Sequence, residues 1–355
     1  MTAVHVVVPD SVDDPALPSG GNVYDRKVCR GLADLGWSVD VRPVPGSWPR
    51  PEPWARTALT RVLAAMPDQA VVLLDGLIAS AVPEVLMPEA TRLRLVVLVH
   101  MPLGAEGNQV EGCESSVRER AVLSAAAAVV TTSTWTQHWL LDRYELRRDV
   151  VHVAQPGAEI AHPASGTTSG GQPLCVAAVT PQKGHDVLLE ALATVADLEW
   201  RCCCVGTLAR DPAFVAGLGR QARAAGIADR VSFPGPRSGA DLEDAYATAD
   251  LLLLASRAET YGMVITEALA HGLPVVATAV GGVPEAVGRA DDGSTPGLLV
   301  PPDDPSAIGA ALRSWLGDRA LRRRLRSTAA RRRVMLSGWS DTSERLSRVL
   351  EGVAS

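Results

Sequence analysis

Residues 250–278 read DLLLLASRAETYGMVITEALAHGLPVVAT. An apolar run of strand length is followed by a polar loop, then by MVITEALAHG with a helix-like composition, then by a second β-branched run. Strand, helix, strand in that order is the repeating unit of a parallel sheet, whose buried strands read as continuous apolar runs. Gly262 suits a close backbone approach where the loop enters the helix, and the helix ends near His271 or Gly272. Glu259 and Glu267 lie eight positions apart. On a single helix they would sit about 80° apart around the axis and would not share a face. Glu259 is therefore expected in the loop at the strand's carboxyl end, and Glu267 in the helix. On these residues alone a plainer reading stays open, in which Glu259 caps the helix and Glu267 is an exposed helix residue.

The same alternation extends in both directions. Short β-branched runs at 5–8, 39–44, 71–74, 95–99, 128–133 and 150–154 are separated by helix-like segments, and the pattern restarts at 174–179, 200–206, 230–235, 250–256, 274–280 and 297–301. Between the two series, AEIAHPASGTTSGGQP at 158–173 is rich in Gly, Ser, Thr and Pro without hydrophobic periodicity, and is expected to be a linker. The fold class expected is α/β: an N-terminal Rossmann-like domain over 1–157, a second over 174–339, and a C-terminal helix of about 340–355 packed back on the first. Two such domains facing each other would form a cleft at the carboxyl ends of their strands. Eight arginines fall between Arg319 and Arg333, all round the helical turn, which favours a solvated face over a membrane-binding patch.

Composition narrows the function. With 355 residues, 47% hydrophobic, 21% charged and a formal charge of −6, the chain has the balance of a two-domain globular protein, and nucleic acid is disfavoured as a partner. The apolar runs are too short to span a bilayer, and the first residues lack the features of a signal peptide, so a cytoplasmic location is expected. Cys202, Cys203 and Cys204 are consecutive in an apolar run, which suits reduced strand residues better than a disulfide or metal clip. Lysine occurs only at 27 and 183.

At the opening stretch, the N–H groups of Gly262, Met263 and Val264 would lie at a helix N-terminus, where partial positive charge favours phosphate. A diphosphate could then sit between two acids that accept hydrogen bonds from vicinal hydroxyls. Lys183, in PQKGHD, offers a point charge for the same phosphates, and the helix starting near His185 adds further N–H groups.

The run SRAETYGMVITEALAHGLPVVATAVGGVPEAV at 256–287 resembles the signature of nucleotide-sugar glycosyltransferases of family 4. PSGGNVYDRKVCRGLADLGWSVDV at 18–41, VTPQKGHDVLLEALA at 179–193, VSFPGPRSGADLEDAYATADLLLLASRAE at 231–259 and GWSD at 338–341 resemble further parts of that family. The resemblance covers nearly the whole chain and is weakest from about 45 to 90. It implies two facing Rossmann-like domains in the GT-B arrangement and retention of anomeric configuration by front-face attack. It further implies that Glu259 contacts the donor sugar's hydroxyls, Glu267 the ribose hydroxyls and Lys183 the donor phosphates. Tyr261 would join Gly262, Met263 and Val264 against the donor. Gly20 and Gly21 would let the backbone approach the transferred sugar or diphosphate. His100, otherwise readable as a core histidine, would hydrogen-bond the sugar.

One departure stands out. Many family members carry an arginine five residues before the lysine, where this chain has Ala178. Arg257, Arg210 and Arg237 are the candidates to compensate, with Pro236, Thr180 and Thr207 as further phosphate or base contacts. Asp75, Met101, Leu103 and Asn108 are candidates for the acceptor. No DxD-type metal cluster is placed to help: the acids at 12–14, 290–292 and 302–304 look like loop acids, so a metal-independent site with no required cofactor is expected.

The function expected is transfer of a sugar from a nucleotide diphosphate, UDP-sugar first by family frequency, to a small soluble acceptor, by a monomer or homodimer. Three other readings stay in play. A dinucleotide oxidoreductase lacks a GxGxxG after either first strand. A non-catalytic nucleotide-sugar binder is suggested by Ala178. A nucleotide-sugar hydrolase or phosphorylase would use the same site with another nucleophile.

Overall fold

The computed structural model describes residues 2–14, 19–105 and 109–355, without the side chains of 109–113. These fall into two compact units: 2–14, 19–157 and 337–355 form the first, and 158–336 the second.

The first unit holds β1 (Ala3–Pro9), β2 (Ser38–Val44), β3 (Val71–Asp75), β4 (Arg94–Val99), β5 (Ala128–Thr131) and β6 (Val151–Val153). They pair in the order β2-β1-β3-β4-β5-β6, parallel throughout. Alternate residues supply two cores. Val7, Val72, Leu74, Val97 and Val129 pack on one face, and Val4, Val6, Leu73, Val96 and Val130 on the other. Burial of both faces is why the central strands β3, β4 and β5 are largely apolar, whereas the edge strand β2, SVDVRPV, is mostly exposed and carries Asp40 and Arg42. The C-terminal helix Trp339–Ala354 lays Leu346, Leu350 and Val353 on the second face. It meets the helix Gly20–Asp34 at Gly31, where a Cβ would overlap Ser343. Trp37 Nε1 fixes the same helix by donating to Ser347 Oγ at 2.8 Å.

The second unit holds β7 (Pro173–Val176), β8 (Cys202–Val205), β9 (Val231–Gly235), β10 (Leu251–Leu254), β11 (Val275–Thr278) and β12 (Gly297–Val300). Their order is β12-β11-β10-β7-β8-β9, again parallel. All twelve strands lie on the runs expected from sequence. Cys202 and Cys204 face one core with Cys175, and Cys203 turns the other way. These cysteines are free.

Two expectations change. The segment 158–173 is not a free linker but part of the second unit. Ala164 N donates to His271 O at 2.8 Å, and Thr167 binds the buried Asp250 through its N–H at 2.5 Å and its hydroxyl at 2.6 Å. Its polar composition therefore satisfies a buried carboxylate as well as solvent. The arginine-rich helix Arg319–Arg333 is a solvated face only in part: Arg319, Arg323 and Arg324 are exposed, while the other five arginines are half-buried. Arg326 Nη2 reaches Asp250 Oδ1 at 2.5 Å, and Arg333 Nε donates to Ala270 O at 2.7 Å. Arg322 donates to Trp315 O at 2.8 Å, Arg332 to Val287 O at 3.2 Å, and Arg331 to Asp292 at 2.5 Å. Long guanidinium side chains here tie off backbone carbonyls and loop acids of the same unit. Among the described residues no helix is long and apolar enough to cross a membrane.

Candidate active site

In the second sheet β10 lies beside β7, with β8 and β9 on one side and β11 and β12 on the other, so the strand order reverses between them. Ligands of doubly wound sheets bind outside the carboxyl ends of strands at such a reversal. The chain leaving β7 turns at Pro181–Lys183, and the chain leaving β10 carries Ser256 to Glu259. Two glycine approaches bring these segments together. Gly184 has φ +67°, and a Cβ there would fall on Ala255 O at the end of β10. Gly281, with φ +52°, leaves no room for a Cβ beside Glu259 O, and Gly282 N donates to that same oxygen at 3.0 Å. As a result Lys183 Nζ sits 2.6 Å from Glu259 Oε1, which also accepts from Ser256 Oγ at 3.0 Å.

The helix Met263–Ala270 starts at Gly262, φ +91°, with no side-chain cap. Glu259 is thus a loop carboxylate and not the cap. Tyr261 is buried, and Gly262, Met263 and Val264 are half-buried. Glu267 is not an exposed helix residue either: its Oε2 accepts from Tyr246 Oη at 2.7 Å. Burial raises its pKa above the ordinary carboxyl range, the Tyr246 hydrogen bond opposes this, and nearby Glu243 adds to it. Tyr246 in turn stacks on His271, ring centroids 5.0 Å apart.

Arg257 does not take the place of the arginine missing at 178. Its guanidinium binds Asp186 with two hydrogen bonds, at 2.9 and 2.8 Å, its Nε binds Asp303 at 2.6 Å, and Nη1 also donates to Pro181 O. It fastens the loop after β10 to the helix His185–Ala193. Arg210 and Pro236 are exposed, Arg237 and Thr180 half-buried, and Thr207 buried. Thr180 O accepts from Lys183 N at 3.0 Å and Thr207 O from Val179 N at 3.0 Å, so both threonines brace the turn through their backbones. His185 is buried, with Nε2 3.7 Å from Cys175 Sγ. With Cys204 they form a group of three donor atoms within 4.8 Å of one another.

The acid pairs have protein partners. Asp303 holds Arg257, and Asp304 caps the helix Pro305–Gly317 by accepting from Ala307 N at 2.8 Å. Asp291 and Asp292 face Arg331, and Asp13 faces Arg26.

In the first sheet the order reverses between β1 and β3. Ser19 Oγ caps the helix Gly20–Asp34 by accepting from Asn22 N at 3.1 Å. A Cβ on Gly21 would lie 3.2 Å from His100 Cδ2, so glycine lets this helix start against the imidazole. His100 follows β4, and its Nε2 is 2.8 Å from Asp25 Oδ1. Asp75, at the end of β3, completes a group whose donor atoms lie within 4.8 Å of one another. Its Oδ1 accepts from Leu77 N at 2.6 Å. Burial and the neighbouring Asp25 push Asp75 up to about 7, against the pull of His100. Burial alone would depress His100, but the charge and hydrogen bond of Asp25, with Asp75, lift it to about 9. His100 is itself half-buried and paired with Asp25.

Asp75 faces this buried group and is 4% exposed, so it is not displayed as an acceptor contact. Leu103 is buried too, its N–H donating to Glu119 Oε1 at 3.0 Å. Met101 is half-buried, and Asn108 lies outside the described residues. Sequence reasoning missed Asp25 and the two glycines at 281 and 282. A signal for Asp25 was present: with Val28, Cys29 and Leu32 it occupies the i, i+3, i+4, i+7 stripe, where a charge is out of place unless paired.

Residues 170–332 match the family model described as glycosyl transferases group 1. The D-inositol 3-phosphate glycosyltransferase of Streptomyces avermitilis is 34% identical over 254 residues, covering 66% of this chain and 54% of that protein. The protein of the same name from Kineococcus radiotolerans is 33% identical over 263 residues, 68% of this chain and 60% of its own. The chain thus spans little more than half the length of the curated relatives it matches. Among solved structures, Anabaena HepE in complex with UDP-glucose superposes with a TM-score of 0.80 at 17% identity, covering 99% of this chain and 100% of that one. Sucrose-phosphate synthase from Thermosynechococcus elongatus gives 0.78 at 20%, covering 99% of each. These likenesses establish the fold as the GT-B type of two α/β units. Residues 170–332 thus form a domain of the glycosyl transferases group 1 type.

Proposed function

We propose that this protein is a retaining, metal-independent glycosyltransferase that moves a sugar from a nucleotide diphosphate, UDP-sugar first, to a small soluble acceptor. The observation that carries the proposal is the Lys183 and Glu259 pair, 2.6 Å apart at the strand reversal of the second sheet. Next to it lies the uncapped start of the helix Met263–Ala270.

In this reading Lys183 and the N–H groups of that helix start stabilise the departing diphosphate, where negative charge develops in the transition state. Glu259, released from Lys183 as the phosphates bind, accepts hydrogen bonds from the sugar hydroxyls, and Glu267 from the ribose hydroxyls. Tyr246 leaves Glu267 one oxygen free for that purpose and fixes its direction. For the first unit the proposal assigns His100 and the Gly20–Gly21 backbone to the transferred sugar. Front-face attack then needs no enzymic nucleophile, since the leaving phosphate accepts the acceptor's proton. The loop acids are committed to arginines and a helix cap, which supports charge stabilisation by lysine and amides. The shared name of the relatives makes a phosphorylated cyclitol the first acceptor to try.

The test is nucleotide release. Purified protein is incubated with UDP-, GDP-, ADP- and dTDP-sugars, with and without inositol phosphate and a panel of small alcohols. Acceptor-dependent release of one nucleotide, with a glycoside of unchanged anomeric configuration, is the expected result. Release without any acceptor would identify a hydrolase, and tight donor binding with no release a binding protein.

A further inference from the structure

We propose that Asp25, with Asp75 behind it, is the positioning residue that keeps His100 an imidazolium and so makes its second ring nitrogen, Nδ1, a hydrogen-bond donor. The consequence for catalysis rests on the reading of His100 as a residue that touches the transferred sugar.

The geometry is that of a charge-assisted contact. His100 Nε2 and Asp25 Oδ1 are 2.8 Å apart, and Asp25 is only 3% exposed. A buried carboxylate needs a cation or a set of donors, and the imidazolium is the cation in contact with this one. The other oxygen, Asp25 Oδ2, is buried without a donor among the described residues. The Asp75 carboxyl belongs to the same group, one of its oxygens lying within 4.8 Å of the ligating atoms of Asp25 and His100. Two ionised carboxylates at this range disfavour each other, and a protonated Asp75 supplies the missing donor. Below about pH 7, where Asp75 stays protonated, the Asp25 carboxylate and the His100 imidazolium balance one another within the group.

The charged groups that act on the imidazole among the described residues are Asp25 on the helix Gly20–Asp34 and Asp75 at the end of β3. Tyr24, on that same helix, meets the ring edge-on at 5.2 Å, and its hydroxyl is occupied by donating to Ala154 O at 2.8 Å. Arg345, on the C-terminal helix, acts on Tyr24. The directions agree with the geometry: His100 is lifted to about 9 and Asp75 to about 7.

The chemistry at Nδ1 follows. A neutral imidazole that donates Nε2–H to Asp25 would offer Nδ1 as an acceptor, whereas the imidazolium offers N–H at both positions. Phosphoryl, carboxylate and ring oxygens only accept. His100 is thereby specialised for a ligand oxygen of that kind, or a sugar hydroxyl acting as acceptor, across the neutral pH range.

The experiment is nitrogen NMR of the histidine rings in the whole protein from pH 5 to 10, with the His100 signals assigned by their loss in His100→Gln. In the wild type both ring nitrogens are expected to be protonated at pH 7.5, with titration near 9. Asp25→Asn should bring titration back to about 6.5, while Asp75→Asn, which keeps a neutral donor, should move it by less than about one unit. A wild-type His100 that is neutral at pH 7.5, or that titrates unchanged in Asp25→Asn, would overturn the proposal. Should Asp25→Asn fail to fold, the wild-type and Asp75→Asn titrations still decide it. None of these readings requires turnover, so absence of sugar transfer would sink the proposed function and leave this inference standing. With an active donor, Asp25→Asn should lose about twentyfold in kcat between pH 6 and pH 8 with unchanged nucleotide affinity, where the wild type is flat. A merely structural role would lower the rate equally at both.

Discussion

In the second unit β10 runs beside β7, in the first β3 runs beside β1, and in each the strand order reverses between the pair. The charged groups gathered there are held differently. Lys183 and Glu259 retain 26% and 12% side-chain exposure and pair with one another, so an incoming phosphate and hydroxyl can separate them by competition. Asp25 and Asp75 are 3% and 4% exposed, and with His100 their charges and protons are arranged before any ligand arrives. In the proposed function one reversal point would carry a grip that opens, and the other a preset electrostatic element.

The largest effect that tests this contrast is expected from Glu259→Ala, which should lower transfer by at least about a hundredfold while UDP affinity stays within about threefold. Lys183→Ala should lose both, because in the proposed function the lysine meets the phosphates. Equal loss of UDP affinity in Glu259→Ala and Glu267→Ala, by calorimetry, would break the proposed division of labour.

Next comes stability. Arg326→Ala removes the arginine from the fully buried Asp250 and should cost about 3 kcal/mol of unfolding free energy, read by denaturant titration. The His100 titration should not move, since that group belongs to the other unit. A coupled shift would make the comparison of two independent sites untenable.

Glu267→Ala should weaken nucleotide binding about tenfold, and Tyr246→Phe, which only unfixes the carboxylate, by about two- to threefold. If Tyr246→Phe proves the worse of the two, Glu267 is not the nucleotide contact.

A smaller and signed effect is expected with pH. His100 has a folded pKa of about 9, above its ordinary 6.5, so its stabilising contribution is complete below 6.5 and fades as pH rises through 9. Asp75, raised from 3.8 to about 7, likewise loses its contribution as pH rises through 7. The gap in melting temperature between wild type and Asp25→Asn should therefore narrow from pH 6 to pH 10, and a widening gap would count against the imidazolium. The smallest expected effect is that of EDTA, which should leave transfer unchanged. A complete block would refute metal independence.

Much of this was legible in the chain. The central strands are largely apolar because both of their faces are buried, so those runs announce themselves. The placement of Glu259 in a loop and Glu267 in a helix followed from their spacing, since both lie within one contiguous strand, loop and helix. Partners distant in sequence were not legible. Arg257 looked available for phosphate until Asp186 and Asp303 were seen to hold it, and the arginine-rich helix looked solvated because its carbonyl partners lie up to 172 positions away.

Local pattern, then, determined the elements, their parallel class and the loop that carries the first carboxylate, because hydrophobic periodicity and glycine conformation act over a few residues. Strand order, the contact between Lys183 and Glu259, and the meeting of Asp25, Asp75 and His100 were decided by tertiary structure. The last group joins a helix and the ends of two strands, and the protonation of each member depends on burial and on charges up to 75 positions away in the chain. Those quantities exist only once the sheet has formed and water has left.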